Sequence, residues 1–238
     1  VLTVSNSPSY DYAIVATGGN SDKTFTVTNG GQYTATAIGG SNIAAPFTYK
    51  GGSFPGTGGN CGTTLNAGAS CTFVVRFAPT ITGLQLDTIH VDYNNGASVQ
   101  VATRDVQGTG AVPALLTVSD GPTYNFGTLA SGGSGDKSFI VTNTGGVPAT
   151  ALTGTGLAAP FSFKGGSYPG TGGTCSTSLA SAATCTVVLT YNPTNVAVHT
   201  DTLILAYDDG QTVGATNVTR DLTGTAVSPA LLSVSDGP

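Results

Sequence analysis

The sequence predicts an all-β protein, and three observations carry that prediction. Charge is scarce: 7 Lys and Arg and 12 acids make up 8 % of the 238 residues, against about 25 % in ordinary domains. Every acid is Asp, and Glu, Met and Trp do not occur, so the usual covering of a helical surface is largely missing. The chain also carries 35 Gly and 12 Pro, about a fifth of its length, which supply many turns and interrupt helices. Hydrophobic residues at 39 % are enough for packed cores rather than disorder.

The strands follow in order from period-two alternation. Leu2–Ser5 opens the chain, and Lys23–Thr28 alternates polar and apolar residues, as a strand with one face in a core does. Thr34–Ile38 and Phe47–Tyr49 are short candidates; Thr72–Phe77 and Thr88–Tyr93 repeat the alternation. Asn94-Asn95-Gly96 then supplies residues that tolerate positive φ in a hairpin, and a last strand runs from about Val99 to Gly108.

The pattern is written twice. Leu2-Thr3-Val4-Ser5 recurs as Leu116-Thr117-Val118-Ser119, and Ala45-Pro46-Phe47 as Ala159-Pro160-Phe161, both 114 residues on; nearly half the positions from 1 to 93 are identical at that offset. Arg104-Asp105 returns as Arg220-Asp221 after two inserted residues, and Leu232-Ser233-Val234-Ser235 opens the motif again. A unit of this size exceeds a solenoid repeat and suits an independent domain. We therefore expect domains at 1–114 and 115–230 and the start of a third, truncated repeat at 231–238. The junction Val112-Pro113-Ala114-Leu115 recurs around Pro229 with almost no spacer, which predicts closely coupled neighbours. About seven short strands per unit predict tandem immunoglobulin-like β-sandwiches, an eight-stranded jelly roll being the alternative.

The run Leu116 to Gly127, then Phe139-x-Val-Thr-Asn-Thr-Gly, Phe161, Cys175…Cys185-Thr-Val, Tyr191-Asn-Pro193 and Leu222-x-Gly-Thr-Ala226 resembles the bacterial choice-of-anchor D repeats, related to ASPM–SPD-2–Hydin (ASH) domains. The resemblance covers nearly the whole chain, twice. It implies PapD/ASH-like sandwiches in exported multi-domain proteins without catalytic activity of their own. The first copy departs at Tyr12-Ala13, where the family pattern prefers Phe-Gly, so we expect its entry strand to sit differently.

Cys61 and Cys71 are ten apart, as are Cys175 and Cys185. Pairing within each copy lets each repeat close its own bridge, and it places the chain outside the reducing cytosol. Zinc is the competing reading, but no C-x₂₋₄-C pair exists, and His90 and His199 occupy unrelated positions. The bridge would pin the Gly-rich segment after Lys50 and add roughly 2.5–3 kcal/mol by chain entropy.

Function classes narrow accordingly. A net charge of −5 with singly scattered cations argues against nucleic acid and anionic membrane surfaces. No apolar run reaches the ~20 residues of a membrane helix. The chain begins at Val1 with no signal peptide and reads as an excerpt of a longer, processed protein. Two histidines at unmatched positions make a Ser-His-Asp arrangement unattractive, and the Asp residues sit beside turns and strand ends, where they cap backbone. Lys50 precedes its glycines, whereas a phosphate-loop Lys follows them. Phe54 and Tyr168, in the Gly-rich loops, are the possible ligand contacts; the plainer reading folds each ring over the end of the core.

Asp208-Asp209 could add ligands to a Ca²⁺ site, though Asn94-Asn95 stands there in the first copy. Lys23/Lys137 and Lys50/Lys164 are donors for a conceivable isopeptide bond, and Asn217-Val218-Thr219 is a sequon. We expect no enzyme, cofactor or metal. The leading expectation is a structural, adhesive spacer of an exported bacterial surface protein, extracellular or periplasmic. Its partners would be neighbouring repeats and host, prey or matrix glycans or proteins. A carbohydrate-binding accessory module is the alternative, with Tyr10, Tyr12, Tyr33, Phe54 and Tyr168 as an aromatic row. Strand donation by Leu231–Val234 is the third reading.

Overall fold

A computed structural model describes residues 1–211, 216–235 and 237. It is all-β, with seventeen strands among the described residues. The boundary between two compact units falls between Pro113 and Ala114.

The first unit holds nine strands: β1 (Leu2–Val4), β2 (Ser9–Ala16), β3 (Ser21–Asn29), β4 (Ala35–Ser41), β5 (Phe47–Tyr49), β6 (Thr64–Leu65), β7 (Ser70–Phe77), β8 (Gly83–Asn94) and β9 (Val99–Ala111). They form two sheets, ordered β1-β3-β7-β5 and β2-β9-β8-β4-β6. Alternation along the central strands puts Phe25, Val27, Phe73, Val75 and Phe77 of one sheet, and Ile89 and Val91 of the other, entirely out of water. Phe25 stacks on Phe73 at 5.3 Å and Phe47 on Phe77 at 4.8 Å between ring centroids.

The second unit repeats this with β10 (Leu116–Val118), β11 (Thr123–Ala130), β12 (Gly135–Asn143), β13 (Thr150–Thr155), β14 (Phe161–Phe163), β15 (Thr184–Tyr191), β16 (Val198–Asp208) and β17 (Thr216–Val227). Its sheets are ordered β10-β12-β15-β14 and β11-β17-β16-β13. The counterpart of β6 is a single bridge, Ala149 to Leu179.

Each unit therefore has more strands than the seven expected from alternation. Besides the two-residue β6, the addition is β2, and its repeat β11, which hide from a period-two reading for a physical reason. β2 runs parallel to β9 and its register slips between Asp11 and Ile14, where Ala13 turns to φ 59°. One left-handed residue reverses the face of everything after it. The expectation of a differently seated entry strand in the first copy is corrected. Ser9 pairs with Asp105 and Thr123 with Asp221, and both strands slip at the same step.

The unit starts are tied by repeated polar contacts. The Tyr93 hydroxyl accepts from the Leu2 amide at 3.1 Å, and Tyr207 does so for Leu116 at 3.2 Å. Asn29 and Asn143 are buried, their amide groups donating to Tyr33 and Leu65 carbonyls and to Val147 and Leu179 carbonyls respectively. Leu231, Leu232 and Val234, the opening of a further copy of the motif, lie outside any strand and are more than 90 % exposed.

Candidate functional site

The most distinctive local structure is the glycine-rich loop after β5 and its copy after β14. The loop lies along β7 as an irregular extra strand: the Lys50 amide donates to Val74 O at 3.0 Å, the Val74 amide to Pro55 O at 2.8 Å, and the Asn60 and Cys61 amides to Thr72 O. A side chain could not follow this path. At Gly56 and Gly170, both at positive φ, a Cβ would sit 2.4 and 2.0 Å from the carbonyl oxygens of Val74 and Val188. Disulfides close each loop onto the next strand, Cys61 to Cys71 and Cys175 to Cys185, with Cα atoms 4.9 and 4.8 Å apart. All four sulfurs are buried.

An ion cluster clamps the other end of the first loop. Arg76 holds Asp22 with two bonds, Nε to Oδ1 at 2.7 Å and Nη2 to Oδ2 at 3.0 Å. Lys50 Nζ reaches the same carboxylate at 2.9 Å. The Arg76 guanidinium, aided by Lys50, holds the Asp22 carboxyl down at about 2. In the second repeat Lys164 Nζ binds Asp136 at 2.7 Å and the Thr190 hydroxyl donates to it at 2.6 Å. Asp136 is likewise lowered, chiefly by Lys164. The remaining lysines stand over rings, Lys23 4.7 Å from the Tyr10 centroid and Lys137 4.6 Å from that of Tyr124. All four candidate isopeptide donors thus sit in non-covalent contacts.

The aromatic candidates do not form a row. Phe54 and Tyr168 are half-buried and meet Tyr49 and Phe163 edge-on at 5.4 and 5.8 Å. Tyr12 is buried, its hydroxyl donating to Val75 O at 2.9 Å; desolvation drives that phenol far above its ordinary range. Tyr10 packs edge-on against Tyr12 and Phe25. Tyr33 alone among these five is open to solvent, at 67 %.

Among the described residues neither histidine is given a Ser, Thr or Cys partner. His90 Nδ1 lies 3.5 Å from the Asn42 amide, while His199 lies 2.9 Å from the Tyr191 hydroxyl and 3.2 Å from Asn195 Oδ1. Among the described residues no three His, Cys, Asp or Glu side chains converge as a metal site. Asp209 is 9 % exposed and accepts from the Thr216 hydroxyl; part of its loop, 212–215, lies outside the described residues. Asn217 of the sequon sits exposed on β17.

One shallow cavity recurs at the same place in both repeats. In the first, about 570 Å³ is lined by Asp87, Asp105, His90, Asn42 and Gln107; in the second, about 310 Å³ is lined by Asp201, Asp221 and neighbouring threonines. The shared acids have structural partners. Asp87 accepts from the Ala44 and Thr88 amides, and Asp201 from the Ala158 and Thr202 amides. Asp105 and Asp221 accept from the Thr88 and Thr202 hydroxyls.

Sequence reasoning passed over the two arginines of β9 and β17 as scattered cations. Arg104 is 8 % exposed and donates to Pro8 O and Val4 O, both at 2.5 Å. Arg220 is 9 % exposed and donates to Pro122 O at 2.7 Å and to Val118 O. Each guanidinium fastens the crossing from the first strand to the second. The signal was available: Ala102, Arg104 and Val106 share one face of β9, the face that alternation turns inward.

These features define the class: a disulfide-clasped immunoglobulin-like β-sandwich, present twice. Residues 116–219 match the HYDIN/CFA65/VesB-like Ig-like domain family. Among solved structures the chain is similar to a protein of unknown function from Porphyromonas gingivalis W83, at 11 % identity over 94 % of this chain and 99 % of that one (TM-score 0.37). It is similar to the Vibrio cholerae VesB protease at 18 % identity, over 45 % of this chain and 31 % of the protease (TM-score 0.36). The ASH/PapD-like domain 7 of human CEP192 is 14 % identical over 50 % of this chain and 89 % of that domain (TM-score 0.36). Likenesses of this strength carry nothing about function. No curated protein matches the chain. The disulfides point to an oxidising, non-cytoplasmic compartment, and among the described residues no helix is long and apolar enough to cross a membrane.

Proposed function

We propose that the chain is a non-catalytic spacer: disulfide-clasped sandwich repeats, of the choice-of-anchor D kind, in an exported bacterial surface protein. The observation that supports this is the doubled clasp. In each repeat the cysteines, an ion-paired Asp and a buried Arg are all committed to holding loops and strand crossings. Low charge and abundant Thr, Ser, Asn and Gly leave a hydrated surface that avoids ionic capture. Many copies in a fibre would raise weak contacts with glycans or proteins by avidity.

Pulling on the whole chain tests the mechanical role. Two unfolding events are expected, each lengthening by about 30 Å after reduction, as ten residue spans of ~3.3–3.6 Å between the bridged cysteines replace Cα separations of 4.9 and 4.8 Å. A single event, or lengths unchanged by reductant, defeats the spacer. Protease added to intact producing cells should remove the repeats; full protection would place them inside. The carbohydrate-module reading now rests on the exposed Tyr33, and retention on a polysaccharide column that Tyr33→Ala abolishes would favour it.

A further inference from the structure

We propose that Asn95 is a site of spontaneous deamidation promoted by its own turn. Asn95-Gly96 lies in the turn that joins β8 to β9, and the backbone of that turn holds the oxygen of the Asn95 side chain. Its Oδ1 accepts from the amides of Ala97 at 2.8 Å and Ser98 at 2.9 Å. These two donors point at the oxygen on which negative charge develops when a nucleophile adds to Cγ, the same service that oxyanion-hole donors perform in acyl transfer. The nucleophile is the adjacent Gly96 nitrogen, whose N–H donates to Asn94 Oδ1 at 2.8 Å. Gly96 is exposed and carries no side chain of its own, although the Tyr33 ring lies against one side of it.

The step balances without an oxidant or cofactor. Gly96 N bonds to Asn95 Cγ, the Cγ–Nδ2 bond breaks, and ammonia leaves with the proton that Gly96 N gives up. The resulting five-membered imide is opened by solvent water at either carbonyl, yielding Asp or isoaspartate. The product carries a negative charge where the second repeat already has Asp209-Gly210.

The chain contains a built-in control, the second Asn-Gly pair at Asn29-Gly30. Asn29 is 2 % exposed, and its departing amide nitrogen is held by the carbonyls of Tyr33 and Leu65. Both Asn-Gly pairs hold the side-chain oxygen with a backbone amide, that of Gly31 at 3.0 Å for Asn29, but Asn95 adds a second donor in Ser98, and only Asn29 is buried with its departing nitrogen gripped by two carbonyls.

The folded chain is incubated at mildly alkaline pH beside a urea-unfolded sample, and peptide mapping follows the mass gain of about 1 Da and isoaspartate at each site. In the folded protein Asn95 should convert faster than Asn29 by about tenfold or more. In urea the two rates should come within about twofold of each other, since both are then bare Asn-Gly pairs. Asn95→Gln, whose longer side chain would have to close a six-membered ring, should remove the folded-state signal at that position and leave the slow rate at Asn29 unchanged. Equal rates in the folded chain, or no conversion of Asn95 there while it proceeds in urea, overturn the proposal. So does a signal at that position that survives Asn95→Gln.

Discussion

The two repeats are one architecture executed with different side chains, and the differences separate what the sandwich requires from what it tolerates. Both keep the clasp, the buried Asn, the Tyr that receives the opening strand and the Arg under the strand crossing. They differ at Tyr12 and Phe126, at Ala13 and Gly127, at Arg76 and Thr190, and at Tyr33 and Val147. Tyr33 is 67 % exposed, whereas Val147 is 5 % exposed. The shared Asn, Tyr and Arg all bond backbone groups where the chain crosses itself. Variable positions add to a contact that packing already makes.

Breaking a shared element should hurt most. Arg104→Ala strands the carbonyls of Val4 and Pro8, each costing ~1–3 kcal/mol when buried without a donor. The first repeat should lose on the order of 4 kcal/mol in urea unfolding while the second keeps its own transition. Equal shifts in both transitions would show that the repeats do not unfold independently. Replacing Cys61 and Cys71 together with Ala should cost the first repeat roughly 2.5–3 kcal/mol, because a loop of about eleven residues is no longer closed in the unfolded chain. Calorimetry without reductant reads the loss directly.

The variable positions sharpen the comparison with smaller effects. Tyr12→Phe installs the residue of the second repeat and removes the bond to Val75 O, at a cost of about 1 kcal/mol. Ala13→Gly should act the other way. Ala13 adopts φ 59° and Gly127 φ 79° at the same bulge, with Asp11 and Asn125 each accepting the amide there. A left-handed Ala is strained by ~1 kcal/mol relative to Gly, so the melting temperature of the first repeat should rise.

The smallest effect is in acid. Asp22 is held at about 2, chiefly by Arg76. Its folded-state pKa is depressed, so its contribution is complete above the ordinary carboxylate range and fades as pH falls from about 4 towards 2. Arg76→Thr should flatten that acid loss in the first repeat. Melts at pH 5 and pH 2.5 decide it, and an unaltered acid slope would show that the exposed ion pair contributes nothing measurable.

Much of this was legible because alternation, repetition and cysteine spacing are local signals. Lys23–Thr28 and Thr72–Phe77 announce strands whose Phe25, Phe73 and Phe77 fill the core, and the matched Cys spacing announces a loop closed within each copy. The parallel β2 was not legible. Its left-handed Ala13 breaks the period, and its pairing with β9 spans nearly a hundred residues. Arg104 was overlooked because a cation is expected in water, although its place in the alternation pointed inward.

Residue order alone thus determined the all-β class, the doubling and the spacing of the bridges, since each depends on composition or on neighbours a few positions apart. Only the tertiary structure decided which of two identical Asn-Gly pairs is buried, which aromatic rings cover the core, and why one arginine per repeat lies out of water. Those outcomes depend on which backbone groups distant strands leave unpaired, and a linear pattern does not encode that sum.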